Sequence, residues 1–298
     1  MSLPDRTRPD GPMLDGPRLD DRGLDSPGLG RPGLDALRLD GRVPFRGGGF
    51  APVDQTWAAV ATLVGVVAMW QAGASAGVIP TLFLPAPVSI ARALWALTVS
   101  GELWRHLSAS LLRLAVGWTV GTVFGIGMGL AVGLWSVFRS PGMALVSALF
   151  PIPKIALVPL FIIWFGIGEG SKLATLGFGV FFPTVIATAG GVDNVPRGLI
   201  RMGQSFGLSH AAIIRKIVLP AALPSILSGF RVTSSIAIVL LVAAEMIGAE
   251  RGIGAFVLSA GNLYDTDNLL AGIVVLSVLG LAVSWVIGRL ERFFLSWR

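Results

Sequence analysis

The 298-residue chain has no cysteine and only two histidines. The first absence excludes disulfides, thiol nucleophiles and thiolate metal sites. His106 and His210 are too few for a histidine-rich metal centre within one chain. Lysine is scarce too: Lys154, Lys172 and Lys216 follow Pro, Ser and Arg. A phosphate-binding P-loop needs its Lys after Gly and before Ser or Thr, so no such nucleotide site is available. Charge is also sparse. Asp, Glu, Lys and Arg make up 13% of the chain, where soluble domains carry about a quarter. A soluble surface needs those charges. Their shortage, with 53% hydrophobic residues, suits a surface that faces lipid. The net charge of +6 does not point to nucleic acid, because the basic residues mostly flank apolar runs.

What is present falls into two materials. Residues 1–50 are rich in Gly, Pro, Arg, Asp and Leu, with Leu-Asp recurring at 14–15, 19–20, 24–25, 34–35 and 39–40. Eight Asp balance eight Arg, and no aromatic residue precedes Phe45. Such a segment buries too little to offset its ordering entropy, so a disordered cytoplasmic tail is expected. The first apolar run starts too late and is too long for a secretory leader.

Beyond the tail the sequence predicts an all-α membrane protein. A bilayer core requires about 20 apolar residues per helix. Windows of that kind fall at roughly 56–76, 108–135, 141–165, 172–191, 223–248 and 268–288. The organisation expected is a tail at 1–50, a first span with its connector at 51–106, and the remaining spans at 107–298. In the second window Gly117, Gly121, Gly125 and Gly129 repeat every four residues, which lets helix backbones approach closely. The third holds Pro151, Pro153, Lys154 and Pro159. Prolines break helices, and broken helices at membrane depth require protein or a water-filled cavity beside them. Pro151, Pro153 and Lys154 are therefore candidates for a pathway or moving interface. The alternative is that Lys154 snorkels to an interface. Between the first two spans, Val88, Ala91, Leu94 and Trp95 recur at helical spacing, which predicts a short amphipathic helix lying on the membrane.

Orientation follows from the short loops. With the tail inside, eleven Lys and Arg lie on the inner side and four on the outer. Six spans with both termini in the cytoplasm are expected. Glu245 falls near the outer end of the fifth span, as a gating or docking candidate or as an interfacial carboxylate touching water.

The inner loop 192–222 is the most informative stretch, being longer than the 2–8 or so residues that join bundle helices. It predicts two short helices. Asp193 or Asn194 caps the first, with Pro196 in its opening turn. Gly207 takes a left-handed turn, and Ser209 caps the second helix. Ile213, Ile214 and Ile217 share a face of that helix, Pro220 ends it, and Pro224 starts the next span. A capped pair of this kind serves either to dock a partner or to lie on anionic lipid.

At these residues the chain resembles the permease subunits of binding-protein-dependent ABC importers. Their signature is Glu-Ala-Ala, three residues, Gly, nine residues, then Ile-x-Leu-Pro. Gly207, Ile217, Leu219 and Pro220 match, while Arg201, Met202 and Gly203 stand where the triplet would be. Any ion pair made by the family Glu is therefore not carried over. PIPKIALVPLFIIWFGIGEGSK at 151–172, FGLSHAAIIRKIVLPAALPSILSGFR at 206–231 and AEMIGAERGIGAFV at 244–257 are similar to the nitrate/sulfonate/taurine branch. The similarity covers roughly 57–298.

The resemblance implies a type I (MetI-like) permease fold in a bacterial inner membrane. It implies a non-catalytic chain importing a small anionic solute. Partners would be a second permease chain, as a homodimer, two ATP-binding subunits holding ATP and Mg, and an extracytoplasmic binding protein. Arg201 through Pro220, including Leu208, His210 and Ala211, would form the loop gripped by the ATPase. An ion-coupled secondary carrier is the alternative. It would want internal repeats and carboxylates at the centres of spans two to four, which are lacking. A membrane enzyme would need a catalytic cluster.

Overall fold

A computed structural model describes residues 56–296, so the expected tail at 1–50 lies outside the described part. The chain divides into two units, Met1–Ala61 and Thr62–Arg298. Of the first, only the opening of one helix is described, and the packing below belongs to the second.

All regular structure among the described residues is helical. In chain order it comprises α1 (Thr56–Ser75), α2 (Pro87–Val99), α3 (Glu102–Leu134), α4 (Ser136–Leu149) and, after a 3-10 turn at Lys154–Leu157, α5 (Val158–Phe165). There follow α6 (Glu169–Asp193), α7 (Arg197–Ser205), α8 (His210–Ile213), a π-turn at Ile214–Val218, α9 (Leu219–Gly248), α10 (Ile253–Asn262) and α11 (Thr266–Phe294). Among the described residues, five helical runs are long and apolar enough to cross a membrane: Trp57–Ser75, Glu102–Leu134, Glu169–Asp193, His210–Gly248 and Thr266–Phe294. A sixth exists if α4 and the Lys154–Phe165 helix count as one broken span.

The third apolar window is thus not a straight helix. Its two halves meet at 88°. Pro151 and Pro153 supply no backbone N–H, and each disfavours helix in the residue before it. Pro153 is itself extended, with ψ 109°. Helix resumes at Lys154, and the ring of Pro159 sits harmlessly in the first turn of α5.

The centre of the bundle is the contact of α3 with α6. The glycine stripe makes it possible. A Cβ on Gly121 would lie 2.5 Å from the Gly177 carbonyl oxygen, one on Gly125 2.6 Å from Thr184 Cβ, and one on Gly129 2.5 Å from Thr188 Cβ. Any side chain at these positions would force the helices apart. In lipid the hydrophobic effect does not drive helix association, so this close fit and its dispersion contacts hold the pair. Thr184 in this seam donates to the Val180 carbonyl, and Thr175, also buried on α6, to that of Ser171, both at 2.8 Å. Leu114, Leu176, Val180, Ala237, Leu240 and Leu241 extend the core from α3 and α6 onto α9.

Helix α2 starts with Pro87 at its first turn and buries Ile90 and Leu97 against Ala271 of α11 and Trp70 of α1. Its opposite face leaves Trp95 and Val99 exposed. Its apolar side is thus partly spent on the bundle and not wholly on a membrane surface.

Candidate functional site

Three features along the bundle carry polar or strained chemistry. The first is an elbow between α6 and α9. Helix α7 ends at Ser205, and Gly207 follows with φ +70°. Leu208 N–H donates back to the Gly203 carbonyl and Gly207 N–H to that of Gln204, each at 3.0 Å, closing the helix end. Ser209 then caps α8, its hydroxyl accepting from the Ala212 N–H at 3.3 Å. Only glycine adopts the turn at 207 without strain.

One face of the elbow packs on the bundle. Ile213 and Val218 are buried with Val192, Val195, Ala222 and Ile226, and Ile200, Leu208 and Ile217 lean on them. Gly203 is buried because a Cβ there would meet Ile217 Cδ1 at 2.8 Å. The opposite face is open: Phe206 is 77% exposed, and Met202 and Leu199 are exposed beside it. Arg201, His210, Ala211 and Pro220 are also exposed.

The structure corrects three sequence expectations here. Neither Asp193 nor Asn194 caps α7; Pro196 occupies that position without a side-chain bond. Asp193 instead ends α6 and accepts two bonds from the Arg139 guanidinium, at 2.7 and 2.8 Å. Pro220 does not end the helix and Pro224 does not start one: helix runs unbroken from His210 to Gly248. The widened π-turn at Ile214–Val218 stands just before Pro220. A wider turn removes the need for the missing proline N–H to meet the carbonyl four residues back.

The second feature is Lys154, at the break between α4 and α5. Its ammonium donates to the Phe150 carbonyl and lies 4.7 Å from the Phe150 ring centroid and 5.6 Å from that of Phe182. Phe182 is near the middle of the 25-residue α6, so Lys154 has not snorkelled to an end of the bundle. It has no carboxylate partner among the described residues. Pro151 and Pro153 lie in the same break, exposed.

The third feature lies at the other end of α9. Glu245 is 0% exposed, which rules out a carboxylate touching water. Its oxygens accept from Ser110 Oγ at 2.8 Å, Arg113 Nη1 at 2.8 Å and the Gly254 N–H at 2.9 Å. Ser110 Oγ in turn accepts from the Ile253 N–H at 2.9 Å. Arg113 grips Glu169 with two parallel bonds of 2.6 and 2.7 Å and also donates to the Arg251 carbonyl. The His106 Nδ1 lies 3.0 Å from the Gly252 carbonyl oxygen. Together these groups clasp α3, α6, α9 and the 249–254 turn. Every buried charge in the clasp has an opposite charge and directed hydrogen bonds, which such burial demands.

Arg113 is the residue that sequence reasoning missed. It sits in the opening turns of the second apolar window, and a cation there is itself a signal, because it needs a partner such as a buried Glu on another span.

Comparison with known proteins adds four findings. Residues 121–295 match the family described as binding-protein-dependent transport system inner membrane component. The taurine transport system permease protein TauC of Escherichia coli K12 is 36% identical over 82% of this chain and 90% of its own length. The protein named for aliphatic sulfonates transport as permease SsuC, from the same organism, is 37% identical over 78% of this chain and 89% of its own. Among solved structures, a chain of the MetNI methionine ABC transporter, captured inward facing, superposes with a TM-score of 0.54 at 21% identity. It covers 71% of this chain and 98% of that one. That likeness concerns the fold.

Proposed function

The chain belongs to the family of binding-protein-dependent transport system inner membrane components, the permeases of ABC importers, and from that premise we propose that it carries small organic sulfonates of the taurine and alkanesulfonate kind across the inner membrane. The names of its relatives support the cargo class. The excess of basic residues at the Asp193 end supports placing that end, with both termini, in the cytoplasm.

The observation that carries the reading is the elbow. It presents Phe206, Met202 and Leu199 to the outside on a rigid, capped turn flanked by Arg197, Arg201, Arg215 and Lys216. A large exposed aromatic among cations, beyond the apolar spans, suits the pocket of a partner protein. That partner is a cytoplasmic ATPase pair, which holds the ATP and Mg. Two copies of this chain enclose the path, and a binding protein delivers cargo from the other side.

The unbroken helix from His210 to Gly248 explains how a stroke is transmitted. It makes the second arm of the elbow and the fifth span a single rod. At 1.5 Å per residue its 39 residues reach about 58 Å. Displacement at the elbow is passed to the fifth span through continuous helix, with the π-turn at Ile214–Val218 and Pro220 as the place where the two can bend. ATP binding that draws two elbows together therefore tilts both rods and exchanges access between the two sides.

Reconstitution tests this. In liposomes, import of labelled taurine or ethanesulfonate is expected only with the ATPase, ATP and the binding protein all present. Import by this chain alone, driven by an ion gradient, would favour a secondary carrier.

A further inference from the structure

Cations near the helix ends, such as Arg105, Arg215, Lys216 and Arg289, are exposed, and most of the deeper ones among the described residues are answered by carboxylates or by more than one carbonyl. Arg113 has Glu169 and Glu245, Arg139 has Asp193, and Arg231 has Glu291 at 2.6 Å. Lys172 donates to the carbonyls of Ile167 and Gly168 at 2.9 and 3.0 Å. Lys154 has one carbonyl and two aromatic faces. It also stands alone in depth, beside the middle of α6, where charge is most costly and is kept for function.

We propose that the Lys154 ammonium is a station for the anionic head group of the cargo, a sulfonate or similar oxyanion, as it crosses the membrane. The inference rests on the permease reading above and names the residue that meets the cargo's charge. An ammonium has three donors, and the Phe150 carbonyl engages one. The others suit the oxygens of a sulfonate, which accept charge-assisted bonds from several directions. The Phe150 ring flanks the ammonium and is exposed, so it offers apolar surface to the carbon portion of the solute, while buried Phe182 backs the ammonium from the bundle side.

Lys suits a station better than Arg would. It is a point charge on a flexible stem and does not lock an oxyanion in a two-pronged grip. A transit site must hold its ion weakly enough to release it. The position at the 88° break fits as well, since non-helical backbone at that depth sits against protein or beside a water-filled cavity.

The test uses the whole reconstituted complex, with labelled taurine and ethanesulfonate as probes. K154Q removes the charge and keeps a donor, while K154R keeps the charge. Import by K154Q is expected to fall by about tenfold or more, and by K154R only about threefold. Equal import by K154Q and the parent overturns the station and leaves the permease reading standing. A parent complex that imports neither probe overturns both.

Where K154Q assembles poorly, the unmodified protein supplies the measurement. Its three lysines are acylated with a membrane-permeant active ester and read by mass spectrometry, with exposed Lys216 as internal reference. Ethanesulfonate is expected to slow labelling of Lys154 and leave Lys216 unchanged, and ethylene glycol to slow neither. Labelling of Lys154 that ignores ethanesulfonate overturns the proposal.

Discussion

The two ends of the His210–Gly248 helix solve opposite problems. At the Glu245 end, charges are sealed inside the bundle and each is answered by a neighbour. At the elbow, charge stays outside in water, and apolar groups that ought to be covered are not. A buried, satisfied network anchors one element to the next. An uncovered aromatic on a stiff turn awaits something else. The molecule is thus self-sufficient at one end of a rod and incomplete at the other.

Four substitutions probe that contrast. The largest effect is expected from Arg113→Met, which leaves Glu245 buried without its cation. Removing one member of a buried pair costs about 3–5 kcal/mol. The yield of folded protein and its unfolding midpoint in detergent should both collapse, and Arg113→Met with Glu245→Met should recover much of the loss. A double variant no better than the single one would mean that the clasp is not balanced by charge.

Gly207→Val comes next. An added Cβ meets nothing within 4 Å, so the whole penalty is the left-handed backbone. That costs about 1–2 kcal/mol for an ordinary residue and more for a β-branched one. Stimulation of ATP hydrolysis by loaded binding protein should be lost. Gly207→Asn, which tolerates the same φ, should keep it. If Val and Asn behave alike, the geometry of the turn does not matter to coupling.

Phe206→Ser should leave the stability of the isolated chain unchanged, since the ring is free there, yet weaken association with the ATPase by about tenfold, or 1.4 kcal/mol. Copurification at graded detergent and salt would measure it. The smallest effect is expected from Arg139→Ala. It breaks a well-formed but exposed pair with Asp193, and such pairs add little. The unfolding midpoint should not move resolvably, in contrast to Arg113→Met.

How much of this was legible in the sequence depends on range. The apolar windows and the glycine repeat are properties of single segments, and the helices and a close-packing face on α3 follow from them, whereas its partner α6 does not. Gly207 and Ser209 are equally local, because a left-handed turn and a cap need only their own neighbours. The misreading of Pro220 is local, and the others share one cause. Pro220 looks like a stop until the π-turn before it is known. Asp193 looks like a cap until Arg139, 54 residues away in the chain, is seen to take it. Arg113 and Glu245 are 132 residues apart, and neither alone announces that it is sealed from water. Pairing across the fold was the missing information, and periodicity carries none of it.

The glycine seam also limits which motions are open to the protein. Leu176, Thr184 and Thr188 each nest in a notch of α3, and the notches recur every four residues, or about 6 Å. Sliding by part of that pitch would drive methyl groups into backbone, so α3 and α6 behave like a toothed rack locked in register. They can travel together as one strut but cannot creep past each other. A change of shape in the bundle would therefore carry this pair as one body.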